Sequence, residues 1–146
     1  MKRALVLIPL LLACAQQQQP YRFALPQPPA TLDVVSGALA SLGQPVAASN
    51  PAAGVLTTEW RDTGFGYGYI QSVPATIVRR YLVTVASAQP SGVSVLVRAE
   101  VQKCAGVTVT ATTVSGPCEQ IDGLVPKHQE ELNALGAQLQ QSLGGK

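Results

Sequence analysis

Residues 77–114 alternate apolar and polar positions three times over, and this period of two commits the chain to an antiparallel sheet. In the first stretch Ile77, Arg79, Tyr81, Val83 and Val85 share one side, with Val78, Arg80, Leu82 and Thr84 on the other. The second is stricter, with Val93, Val95, Val97, Ala99 and Val101 against Ser94, Leu96, Arg98, Glu100 and Gln102. Residues 88–92, Ala-Gln-Pro-Ser-Gly, read as the hairpin turn between them. The third runs from Val107 to Val114, with Val107, Val109 and Ala111 opposite Thr108, Thr110 and Thr112. Successive strand residues point to opposite faces, so one face of such a sheet must be covered while the other can meet water. Arg79, Arg80, Arg98 and Glu100 are expected on the open face, in surface pairs of little energetic value.

Two helices can supply the cover. Leu32, Val35, Leu39 and Leu42 recur at spacings of three, four and three, the period of a one-sided helix over residues 31–42. Thr31 suits its N-cap, Asp33 the positive end of its dipole, and Gly43 the left-handed position that ends it. After Pro126, residues Leu132, Leu135, Leu139 and Leu143 make a second stripe. His128, near the start of that helix, is expected as an exposed residue. Residues 44–48 and 55–60 read as strands flanking a turn at Asn50-Pro51. The expected fold class is therefore α+β: an antiparallel sheet of about five strands, with an N-terminal and a C-terminal helix packed on one face.

The N-terminus sets the chain's address. Lys2 and Arg3 precede an apolar run from Ala4 to Ala13, interrupted by Pro9, and Ala13 is followed by Cys14. The run is too short to anchor in a bilayer, and its pattern is that of an export signal. Leu11-Leu12-Ala13-Cys14 resembles the lipobox of bacterial lipoproteins. That resemblance implies that residues 1–13 are removed, that Cys14 carries the lipid, and that Ala15, in place of aspartate, directs sorting to the outer membrane with the domain facing the periplasm. Residues 14–30 then form a lipidated, Gln- and Pro-rich tether, and 31–146 a single domain. Tyr21, Phe23 and Leu25 alternate within that tether and would suit an edge strand or a partner's docking segment. The flanking prolines make a disordered spacer the expected state.

With Cys14 lipidated, Cys104 and Cys118 remain as a pair in an oxidising compartment, and a structural disulfide is expected. The alternative is a metal or redox site, but no Cys-x-x-Cys occurs and the single histidine is distant in sequence. Lys2 and Arg3 account for the net charge of +2, so the chain from residue 14 onward is formally neutral. Nothing in that balance, which lacks a basic run, calls for a nucleic-acid partner.

Residues 64–69 interleave three glycines with Phe65, Tyr67 and Tyr69. No Lys-Ser/Thr follows to make a phosphate loop. The rings either offer a partner contact or fold back over a sheet edge. Upstream, a helix ending in Leu-Gly, Pro45-Val46, a polar turn and Gly54-Val55-Leu56-Thr57-Thr58-Glu59-Trp60 together resemble the opening of a BamC-like domain. The resemblance spans residues 30–143 in pattern and about thirty residues in letters. It implies a helix-grip arrangement and a place in outer-membrane β-barrel assembly. Nucleophile, metalloprotease and Walker motifs are missing from the sequence. The expectation is a non-catalytic envelope protein, with no cofactor or metal, that contacts other envelope proteins. The alternatives are a binder of lipid or another small hydrophobic ligand and a structural lipoprotein of a secretion system.

Overall fold

The structure, a computed structural model, describes residues 18–25, 31–64, 68–88, 92–106, 108–110, 112–121 and 126–144. It is α+β, with an eight-stranded sheet, a separate two-stranded ribbon and two helices among those residues. In chain order the elements are β1 (Tyr21–Leu25), α1 (Leu32–Ser41), β2 (Val46–Asn50), β3 (Val55–Thr58), β4 (Arg61–Asp62) and β5 (Gly68–Ile70). They continue with β6 (Val73–Ser87), β7 (Val93–Ala105), β8 (Thr108–Val109), β9 (Val114–Ser115), β10 (Cys118–Gln120) and α2 (Pro126–Ser142). The main path of the sheet is β1-β7-β6-β3-β2, every pair antiparallel. The expected count of about five fits that path but not the sheet, because β4 and β5 also pair along β6, and β10 along β7. These additions are two or three residues long, too short to show a period.

The alternating residues of β6 and β7 form one long hairpin, and Tyr81, Val83, Val95 and Val97 point to its covered face. There they pack with Val35 and Leu39 of α1, Leu56 of β3, and Leu132, Leu135 and Leu139 of α2. The helix caps follow the local sequence. Thr31 Oγ1 accepts the Val34 amide at 3.4 Å, and Gly43 takes φ +74° to close a Schellman turn, with Gln44 N donating to Leu39 O at 2.8 Å.

Two expectations for extended segments are overturned. Tyr21–Leu25, assigned from sequence to the tether, is the edge strand β1, paired with β7 from Tyr21↔Val97 to Leu25↔Val93. Its alternation outweighs the neighbouring prolines because Phe23 and Leu25 are buried in the main core, and an edge strand leaves one side of its ladder unpaired in any case. The third long strand expected over 107–114 is not formed by its described residues, which give only the short strands β8 and β9; Val107 and Ala111 lie outside the described residues. Gly106, at φ +59°, turns the chain out of β7, and the Thr110 hydroxyl donates to Thr113 O and accepts from Thr113 N in the tip of the β8–β9 hairpin. Threonine hydroxyls compete for the backbone in this way wherever a strand has no second partner.

One glycine governs how β1 seats. Gly136 is buried in α2, and an added Cβ would land on the Tyr21 ring and within 2.9 Å of Tyr21 Cβ. Gly136→Ala is expected to cost roughly 1–3 kcal/mol by overpacking. Amide hydrogen exchange would show the loss concentrated in Tyr21–Leu25, with β6 and β7 protected as before.

Candidate interaction surfaces

Three groupings of polar or aromatic side chains stand out, and the sheet's two faces separate them. On the covered face, toward the start of α2, Arg79 of β6 pairs with Glu131, lies 3.4 Å from His128 Nδ1 through its Nη1, and sets its guanidinium 5.1 Å from the centre of the Tyr81 ring. Arg79 does not join the other arginines on the open face, since it follows Tyr81 and Val83 in alternation toward the helices. His128 is likewise not exposed: it is 2% accessible. It precedes Leu132 by one helical period and belongs to the same stripe as Leu135 and Leu139, which is the signal a polar reading of the residue overlooks.

Burial and the adjacent Arg79 push the His128 pKa down, with Lys127 adding to the effect and Glu131 opposing it. Burial also raises the Tyr81 hydroxyl above its usual range, so it stays neutral. The folded state thus binds a proton at His128 less readily than the unfolded chain, whose histidine titrates near about 6.5. Stability associated with His128 is complete above that pH and declines as pH falls through the lower folded value. Thermal melts between neutral and mildly acidic pH should show a falling midpoint, and His128→Gln should flatten that slope.

On the open face, Arg80 donates to Glu100 Oε2 at 2.6 Å and stacks 4.5 Å over Trp60. A bulge brings Trp60 there. Thr57 faces Leu82 and Arg61 faces Arg79, so three residues of one chain segment span two of β6, and Thr58 Oγ1 fills the gap by accepting the Tyr81 amide at 2.8 Å. Trp60, Val78 and Cys104 form a small second core with Val109 and Val114 of the β8–β9 hairpin, which covers that end of the open face. Cys104 and Cys118 are joined by a disulfide, holding β10 in register against β7.

The third grouping is the β5–β6 hairpin. Tyr69 is 68% and Val73 44% exposed, beside a turn in which Gln71 and Ser72 both take positive φ. Of the aromatic contact residues expected from sequence, Tyr69 is thus at the surface, while Phe65 and Tyr67 lie outside the described residues, as does Cys14. Among the described residues no cluster of three or more His, Cys, Asp or Glu could hold a metal ion, and no helix is long and apolar enough to cross a membrane. No protein-family model matches the chain, and no curated protein matches its sequence.

Proposed function

We propose that the chain is a non-catalytic outer-membrane lipoprotein, anchored through Cys14, whose helix-grip-like domain serves as a protein-interaction module of the cell envelope, BamC-like in form and role. The observation that carries the interaction role is the one-sided sheet. Helices and leucines fill one face, and part of the other is left to solvent with exposed arginine and half-exposed aliphatic side chains. The titratable side chains that come together, Arg79, His128 and Glu131, tie α2 to β6, which supports a structural use for them. The facing surfaces that a ligand carrier would hold apart are in contact, with Leu132, Leu139, Val95 and Val97 fully buried.

Two measurements test this reading. Cells grown with labelled palmitate should yield an acylated protein in the outer-membrane fraction, and Cys14→Ser should abolish the label. Affinity purification from intact membranes should recover a barrel-assembly component, and deleting residues 65–69 should weaken that recovery. A soluble, unlabelled protein would overturn the anchor, and purification without an envelope partner would overturn the interaction role.

A further inference from the structure

The open face of the sheet is chemically uneven. Its cross-strand rows place Arg22 beside Leu96, and Arg98 beside Leu82 and then Thr57. Arg22 and Arg98 are exposed, Leu82, Leu96 and Thr57 half-buried. The two ion pairs among the described residues use Arg79 and Arg80, so neither Arg22 nor Arg98 has a carboxylate partner there. Glu100, the acid on this patch, is taken by Arg80. The described residues as a whole balance their charges, and Asp33, Glu130 and Glu131 sit on the helices. The exposed face therefore carries an excess of positive charge that the helix layer does not share.

We infer that this face docks an acidic, extended segment of an envelope protein, one with carboxylates at alternate positions followed by aliphatic residues. The inference rests on the interaction role proposed above and names its surface and partner chemistry. Arg98 lies two residues along β7 from Leu96, the neighbour of Arg22, which makes the arginines diagonal neighbours on one face, with a separation of about 7–8 Å. Alternate side chains of an extended strand repeat at about 6.8 Å. Two carboxylates spaced so can each meet a guanidinium, and Leu96 and Leu82 border that diagonal, in the rows of Arg22 and Arg98, where aliphatic side chains next to the carboxylates can pack. Arginine interleaved with aliphatic surface is the composition of an interface centre. A second copy is disfavoured, because two such faces carry the same sign. A lipid surface is disfavoured by where the chain enters β1: the Gln129 amide of α2 donates to Gln19 O and accepts from Gln19 N, both at 2.9 Å, so Gln19, just before β1, lies on the helix side.

The test uses the full-length protein purified in mild detergent. A short synthetic peptide, with glutamate at two alternate positions and valine at the next two, is titrated against the isotope-labelled protein and followed by amide chemical shifts. Shifts at Arg22, Leu82, Leu96 and Arg98 that weaken with salt are expected. Arg22→Glu with Arg98→Glu should weaken binding at least tenfold, and a glutamine-for-glutamate peptide should lose it similarly. Circular dichroism melts check that the variant folds, and Arg22→Gln with Arg98→Gln should fall between. No binding, binding indifferent to either change, or shifts confined to the helix face would overturn the inference. So would arginine-dependent preference for phosphatidylethanolamine–phosphatidylglycerol vesicles over phosphatidylcholine ones. If the protein still recovers its envelope partner when both arginines are reversed, this surface is wrong while the interaction role stands.

Discussion

Leu139→Ala is expected to lower stability by roughly 2–5 kcal/mol. Leu139 has no accessible surface and sits where α2 meets α1 and the covered face, packed in one cluster with Val35, Leu132 and the β7 valines. Elements clamp the site on several sides, so the structure cannot collapse to refill the volume. The cost is then the lost transfer energy plus a cavity term. Urea denaturation followed by circular dichroism would show the midpoint falling with the slope unchanged. Leu143→Ala supplies the comparison: Leu143 continues the stripe but is only partly buried against the same cluster, and its loss should cost less. Equal effects would mean that the end of α2 is seated as deeply as its middle.

Removing the disulfide is the second large effect. Cys104 and Cys118 are separated by 14 positions, and opening a loop of that size releases chain entropy worth about 3 kcal/mol. The damage should be local before it is global. Cys104 is fully buried against Trp60 and Val78, and the bridge keeps β10 and the β8–β9 hairpin over that small core. Since Trp60 is the one tryptophan, its emission reports the event directly. Cys104→Ser with Cys118→Ser should shift the emission to the red and lower the melting midpoint. An unchanged midpoint would show that β10 holds its register through backbone bonds alone.

How much of this was legible in the residues varied with the length of each signal. The β6–β7 hairpin and the two helices were readable because each repeats its period over many positions, as from Val93 to Val101 or from Leu132 to Leu143. Thr31 and Gly43 marked the ends of α1 through chemistry confined to a few neighbouring residues. The short strands β4, β5 and β10 had no such repeat, and exist because β6 and β7 are long enough to offer free ladder positions. Tyr21, Phe23 and Leu25 carried the right alternation, yet the prolines around them spoke more strongly for a spacer.

The interaction surfaces were less legible still. The arginines could be found in the sequence, but not their partners, because those lie 20 residues away for Arg80 and on another element for Arg79. A bulge at Thr58 decided which face Trp60 would occupy, and no periodicity encodes a bulge. The sequence by itself determined the α+β class and the apolar stripe on each long element, since these rest on local spacing and composition. Only the tertiary structure decided that His128 is buried, that Arg79 and Arg80 part to opposite faces, and that Arg22 comes to lie near Arg98. Each of those outcomes depends on the register between strands far apart in the chain, and register is chosen by the packing of the whole.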